Sequence, residues 1–488
     1  MELLAAQAPE KNTHTLHFFF EGEAINLPGL QLSKEEFQGK ASQLLLVRTP
    51  EGRKLALAGL GSPKDFWPEI LRRSTGKAAR ALRDSACSEF SLILPEGKGL
   101  KTSELARASA EAVILSLYSF DKYKSKKDSP KNEVKRVHIC GKPLGEVGSG
   151  VSLGVALASS SNFARALANE PPNIATPEWM AEQARSLAGQ YHLRFEEVGC
   201  SQLEKEGLSG IKTVSQGSEH EGRLVILEYS PKGHEKEAPV VLVGKGLCFD
   251  SGGLDIKPAG QFADMKFDKA GACAVLGIMR ACGELKLPLR VIGLVALAEN
   301  LPSGRSYKPG EVLTIAGKTI EVANTDAEGR IVLADALAYS QRFKPRALID
   351  LATLTGACLI ALGDQASGLL GTDEKLLKSL ESAGRASGER VWPFPLWPEY
   401  VEQVKGEIAD VKNLGASGAG GRGMAGTIAA AAFLKHFADP TPWVHLDIAG
   451  TANVTKPTDY LSTGATGVGV RLVTELLLEQ FGSSTPRR

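Results

Sequence analysis

Val243-Gly-Lys-Gly-Leu-Cys-Phe-Asp-Ser-Gly-Gly-Leu-Asp-Ile-Lys257 begins where an apolar run, residues 240–243, gives way to a loop dense in glycine and carboxylate. A short, continuous run rich in β-branched residues reads as a strand buried on both faces. Acids and glycines placed directly after such a strand suit an open α/β sheet, in which ligands sit beyond the carboxyl ends of the strands. The same alternation continues on either side. Residues 224–229, 291–296, 347–351 and 444–448 predict further strands, and 271–282, 331–341, 375–383, 427–436 and 468–480 predict helices. The expected architecture is α/β, with a mixed central sheet sandwiched by helices.

Upstream, residues 16–20, 44–47, 55–58, 90–94 and 137–139 read as strands, and 66–86 and 105–120 as helices, which makes a second α/β domain. A helix over 152–168 bridges the two. Asn169-Glu-Pro-Pro-Asn173 must interrupt it, because paired prolines break helices. Thr176-Pro177 then opens a new helix, with Thr176 as N-cap and Pro177 in the first turn. The chain of 488 residues thus divides into an N-terminal α/β domain over 1–155 and a larger domain over 160–488.

Bulk properties exclude several classes. Lys plus Arg number 57 and Asp plus Glu 56, so no global field selects nucleic acid or anionic lipid. The lysine-dense stretch 121–136 is satisfied by water alone and reads as a solvated loop before it reads as a nucleic-acid arm. Seven scattered cysteines without a Cys-x-x-Cys pair argue against a disulfide framework and for a reducing compartment. The N-terminus lacks the basic start of a signal peptide, and no apolar run reaches the ~20 residues of a membrane span. A cytoplasmic protein is expected.

Three stretches gather carboxylates: the opening one, Asp264-Met-Lys-Phe-Asp268, and Asn324-Thr-Asp-Ala-Glu-Gly-Arg330. Together they offer Asp250, Asp255, Asp264, Asp268, Asp326 and Glu328. Any one of these alone reads as a turn former, since Asp and Gly are common turn residues. Crowded together, they repel unless cations neutralise them, and a divalent pair about 3.5–4 Å apart does so. An extended Asp-x-Glu-x-Arg would put Asp326, Glu328 and Arg330 on one face before a helix at Ile331. Competing schemes fit worse. His-Glu-x-x-His and Gly-x-Ser-x-Gly are absent, and no histidine lies near these loops. Gly317-Lys318-Thr319 ends like a phosphate loop but has Val312 where glycine is needed, so a turn between strands is expected. The glycine-rich 418–426 follows no clear strand and reads as a substrate-rim or plain loop.

Asn-Thr-Asp-Ala-Glu-Gly-Arg resembles the characteristic sequence of the leucyl aminopeptidases, the cytosol aminopeptidase family. Val-Gly-Lys-Gly, Phe-Asp-Ser-Gly-Gly, Glu299-Asn-Leu-Pro-Ser-Gly304, Lys308-Pro-Gly310, Asp350-Leu-Ala-Thr-Leu-Thr-Gly356, His445-Leu-Asp-Ile-Ala-Gly450 and Gly464-Ala-Thr-Gly467 resemble it in the same order, over about residues 160–480. The resemblance implies a two-metal aminopeptidase that removes leucine and other N-terminal residues from peptides. Lys245, Asp250, Asp268 and Glu328 would hold one metal, and Asp250, Asp326 and Glu328 the other, manganese or zinc. Lys257 would stabilise the developing oxyanion, and Arg330 would anchor a bicarbonate acting as general base. A homohexamer is implied as well. Some bacterial relatives also bind DNA, which leaves a DNA-binding regulatory or architectural role of the N-terminal domain as the alternative. Two positions depart from the family. Lys269 stands where methionine follows the ligand and lines the side-chain pocket, so Lys269 either makes that pocket polar or points away. Asp255 replaces a small polar residue. Both put the preference for leucine in question.

Overall fold

The computed structural model describes the whole chain apart from residues 12, 29, 31, 34, 126–131, 416–423 and 482–488. The central part of the lysine-dense loop and most of the glycine-rich 418–426 lie outside the described residues.

The chain forms two compact units, Met1–Asn162 with Val454–Thr463, and Phe163–Asn453 with the C-terminal stretch from Gly464. In the first, strands Glu2–Ala6 (β1), His14–Phe19 (β2), Leu44–Arg48 (β3), Lys54–Gly59 (β4), Glu89–Ile93 (β5) and Arg136–Cys140 (β6) form one sheet in the order β1-β6-β5-β2-β4-β3. All neighbours are parallel except β3 against β4. Helices Pro68–Asp84 and Thr102–Leu117 bury Leu71, Leu82, Leu105 and Val113 with the sheet's Leu16, Phe90 and Val137. β1 was not expected from sequence; its five residues pair in parallel with β6 along the sheet edge.

The second unit carries Arg194–Val198 (β7), Arg223–Tyr229 (β8), Val240–Asp250 (β9), Val291–Asn300 (β10), Val312–Ile315 (β11), Lys318–Glu321 (β12), Ala347–Ala352 (β13), Ser367–Gly371 (β14), Val391–Pro393 (β15), Val411–Lys412 (β16) and Trp443–Asp447 (β17). Eight of them form a mixed sheet in the order β15-β14-β17-β13-β9-β10-β8-β7, whose central four, β17, β13, β9 and β10, are parallel. Alternate residues of the central strands enter two separate cores. Val240, Leu242, Ile349 and Leu351 pack under helices Pro177–Tyr191, Ala270–Leu285 and Glu374–Ser387. Val241, Val243, Leu348 and Leu294 pack under Glu328–Ser340 and Gly426–Ala438. Each such buried side chain contributes roughly 1.5–3 kcal/mol. Burial on both faces explains the unbroken apolar runs, and the expected sandwiched sheet is the one found.

Local expectations fare similarly. The helix Leu144–Asn169 ends where the paired prolines begin, and Thr176 caps Pro177–Tyr191 by accepting from Trp179 N at 3.3 Å. Residues 316–317 form the turn of the β11–β12 hairpin, not a phosphate loop.

Candidate metal centre

Strand β9, the turn before the helix Ala270–Leu285 and the start of the helix Glu328–Ser340 deliver the site. β9 is eleven residues long, seven beyond its apolar opening, and its pairing with β10 slips by one residue at Cys248. A bulge of this kind shifts the alternation of side chains by one. Lys245 and Asp250, five apart and so on opposite faces of a regular strand, are thereby brought to one buried cluster. Asp268 lies in the 3-10 turn Ala263–Lys269 that leads into the helix Ala270–Leu285. Glu328 is the first residue of the helix Glu328–Ser340, and Asp326 lies in the turn before it.

Asp250, Asp268 and Glu328, all buried, each place an oxygen within 4.8 Å of the others. Lys245 Nζ lies 2.9 Å from Asp268 Oδ1 and 3.1 Å from Glu328 Oε1, and donates to Thr353 O at 3.1 Å. Lys257 Nζ lies 2.7 Å from Asp250 Oδ2 and also contacts Asp326 Oδ1. Asn300, paired with Asp250 in the β9–β10 register, donates its Nδ2 to Asp250 Oδ1 at 2.9 Å. The Thr353 hydroxyl donates to Asp268 Oδ1 at 2.7 Å. Asp268 Oδ2 and Glu328 Oε2 are buried and have no hydrogen-bond partner among the described residues.

Four carboxylates thus face two ammonium groups. Burial, then the neighbouring Asp250, pushes Glu328 up to about 8. Burial also pushes Asp268 up to about 6 against the pull of Lys245, and raises Asp326. Burial acts to lower Lys245 and Lys257, yet the surrounding acids outweigh it and hold both ammonium groups above their ordinary value. Acids raised and amines raised together describe a pocket short of positive charge. Its two orphaned oxygens are where a hard cation gains most, because an unpaired buried carboxylate oxygen is costly. The donor set of carboxylates and one amine fits divalent ions of the manganese or zinc kind.

Not every expected relationship holds. The helix begins at Glu328, so Glu328 and Arg330 are separated by about 200° around its axis and do not share an extended face. Arg330 is nevertheless buried, its Nε has no hydrogen-bond partner among the described residues, and burial lowers its pKa to about 10 against the fields of Glu328 and Asp447. Asp264 is exposed and outside the cluster. Asp255 hydrogen-bonds Thr325 instead of joining the cluster. Lys269 is fully buried and donates to the carbonyls of Glu170 at 3.0 Å and Lys266 at 2.6 Å.

Sequence reasoning missed Asn300, Thr353 and Gly329. The first two lie in stretches quoted for their family resemblance, but only the strand register shows what they touch. Gly329 lies so near the Lys245 side chain that no β-carbon fits. A second cluster, Glu10, Glu89 and His138 in the first unit, differs in kind. Its acids are at least partly exposed and already answered by His138 at 3.0 Å and Arg136 at 3.7 Å, an ion-pair network without orphaned oxygens.

Comparison with known proteins decides the family. The catalytic domain of the cytosol aminopeptidase family matches residues 162–474, and the N-terminal domain of that family matches 30–127. The chain belongs to the cytosol aminopeptidase family. A probable cytosol aminopeptidase of Roseiflexus castenholzii is 45% identical over 452 residues, 91% of this chain and 91% of the relative. That of Syntrophotalea carbinolica is 42% identical over 461 residues, 93% and 91% of the two chains. A solved structure described as the bottromycin maturation enzyme BotP in complex with Mn is 32% identical and superposes with a TM-score of 0.85, covering 97% of this chain and 98% of that one. Membership of the family makes the chain a peptidase acting on peptide N-termini, and the acid cluster lies within the matched catalytic domain.

Proposed function

We propose that the chain is a two-metal aminopeptidase of the leucyl type, with Lys245, Asp250, Asp268, Asp326 and Glu328 as ligands. The observation that carries this reading is the pair of buried, unpartnered oxygens, Asp268 Oδ2 and Glu328 Oε2, inside a cluster with twice as many acids as amines. Two divalent ions held there, manganese or zinc, would supply Lewis acidity and an acidified water. By family likeness, Asp250 and Glu328 would each help to hold both ions.

The chain's own residues do the rest. Lys257 keeps its proton and sits at the rim of the cluster, where a scissile carbonyl would enter. Its task is to meet the negative charge that grows on that oxygen. Asn300 and Gly252 N, both at 2.9 Å from Asp250 Oδ1, fix one oxygen of that carboxylate and leave the other toward Lys257. Thr353 does the same for Asp268. Arg330 fits as the anchor of a small anion such as bicarbonate, since its Nε is buried and unmatched.

Leucine as a preferred N-terminal residue rests on family likeness. Assembly into a homohexamer is part of the reading, with the first unit in an assembling or regulatory role. Ile360 at 88% exposure, Trp392 at 62% and Trp397 at 60% offer the kind of apolar surface an interface would cover. A cytoplasmic setting is supported by seven unpaired cysteines. No described helix is long and apolar enough to cross a membrane. Among the described residues nothing favours the DNA-binding alternative: Lys124 pairs with Asp121, and the curated relatives named above are described as cytosol aminopeptidases.

The test is Glu328→Ala, with bound metal and hydrolysis of leucyl, acidic, basic and cysteinyl substrates measured together. Loss of both is expected. Unchanged hydrolysis of the leucyl substrate overturns the assignment.

A further inference from the structure

The loop that carries Lys257 is tied to the loop that carries Asp326 through Thr325. Thr325 N donates to Asp255 Oδ2 at 2.7 Å, and Asp255 N donates back to Thr325 Oγ1 at 2.8 Å. The Thr325 hydroxyl donates in turn to Gly252 O at 2.7 Å and lies 3.1 Å from Asp255 Oδ2. On its other side the Thr325 carbonyl accepts from Asn300 Nδ2 at 3.0 Å and from the Tyr307 hydroxyl at 2.7 Å. Every polar atom of this fully buried threonine is therefore engaged across a loop boundary.

The loop itself has little room to adjust. Lys257 N closes it onto Ser251 O at 2.9 Å. Gly252 and Gly253 both adopt left-handed φ, +90° and +67°. A β-carbon on Gly252 would meet Asp255 O at 2.4 Å, and one on Gly253 would meet Asn300 Oδ1 at 2.8 Å. With the backbone folded this tightly, Leu254 and Ile256 are exposed while Asp255 and Lys257 turn inward. Two residues beyond Asp255 is Lys257, and one residue beyond Thr325 is Asp326, and these two are in direct contact.

We propose that Asp255 is a positioning residue: its bonds to Thr325 fix where the Lys257 ammonium stands between Asp250 and Asp326. The inference rests on the reading of Lys257 as the group that meets developing charge. Asp255 touches none of the ligand carboxylates, so it acts on the placement of Lys257 and not on the grip on metal. A misplacement of about 1 Å costs up to about a hundredfold in rate.

The experiment compares the full-length parent with Asp255→Ala and Asp255→Asn. The readouts are kcat and KM on a leucyl substrate, bound metal, and amide hydrogen exchange across residues 251–257 and 324–327. The alanine variant is expected to lose about 10- to 100-fold in kcat with KM within about threefold and metal content unchanged. Its backbone amides at positions 255 and 325 should exchange faster. The asparagine variant keeps an acceptor for Thr325 N and should restore both rate and protection. The proposal is overturned if the alanine variant turns over at the parental rate, or if its kcat falls only in step with lost metal. A parent without peptidase activity would defeat the functional reading instead, and the exchange data would still decide whether Asp255 holds the two loops together.

Discussion

A β-carbon placed on Gly329 would stand 2.5 Å from both Cε and Nζ of Lys245. The helix Glu328–Ser340 thus presents bare backbone to Lys245, the one amine among the proposed ligands, and Lys245 cannot yield, being buried between Asp268, Glu328 and Thr353. Alanine is the better helix former by about 1 kcal/mol, so propensity alone favours Gly329→Ala. Overpacking at about 1–3 kcal/mol opposes it and falls on the site itself. The expected outcome is normal helicity by circular dichroism, at least about a tenfold loss of kcat, and weaker divalent-ion binding by calorimetry. A fully active alanine variant would show that Lys245 has no fixed place.

Removal of divalent ions should destabilise the chain through the same cluster. A ligand that binds only the folded state stabilises it by about 2.7 kcal/mol when present at a hundred times its dissociation constant. Manganese or zinc should accordingly raise the melting temperature of chelator-treated protein. Glu328→Gln removes one of the four carboxyl groups and one of the two orphaned oxygens, so its melting temperature without metal should match or exceed the parent's, while the rise on adding metal shrinks. Equal responses of parent and variant to metal would place the ions elsewhere.

How far the sequence reached is visible in particular residues. Strands β9, β10, β13 and β17 were legible because burial on both faces leaves apolar runs that survive without context. β1 was not, since Glu2–Ala6 lies at a sheet edge and reads as an ordinary terminus. The acids that meet were legible as a crowd. Their partners were not, because Asn300 reaches Asp250 only through strand register and Thr353 reaches Asp268 only at the end of a neighbouring strand. Asp326, Glu328 and Arg330 misled as an extended triplet because local spacing cannot tell where a helix starts; Glu328 begins one.

Lys269 gives a prediction about specificity. Its ammonium is held by the carbonyls of Glu170 and Lys266 and does not reach the carboxylates of the site. Lys269→Met restores the residue expected from the family at similar length. The ratios of kcat/KM among leucyl, acidic and basic substrates should stay within about twofold, because a side chain that does not touch substrate changes no differential binding. A selective gain on leucyl substrates would mean that Lys269 reaches the side-chain pocket during turnover.

Asp335 supplies a pH dependence that is independent of metal. It lies midway along the helix Glu328–Ser340, and its Oδ2 accepts from Ile211 N at 2.6 Å, at the start of the helix Ser209–Ser215, while Oδ1 is buried without a partner among the described residues. Burial raises its pKa well above the ordinary carboxylate value, against the pull of the Ile211 and Gly210 amides. The folded chain therefore keeps this proton over a range in which the unfolded chain, with an ordinary value near ~3.9, has lost it. The stabilisation is complete below that ordinary value and is lost as pH rises toward the folded one, by up to about 1.4 kcal/mol per pH unit. Asp335→Asn keeps an acceptor for Ile211 N but does not titrate. Below the ordinary carboxylate pKa the parent should be the more stable, since asparagine brings two N–H donors to a site where only one acceptor was needed. As pH rises from 5 to 9, the variant should gain steadily on the parent in urea unfolding at fixed metal concentration. Parallel stability curves for the two proteins across that range would mean that Asp335 titrates as it does in the unfolded chain, and that its buried oxygen is paired with a donor in solution.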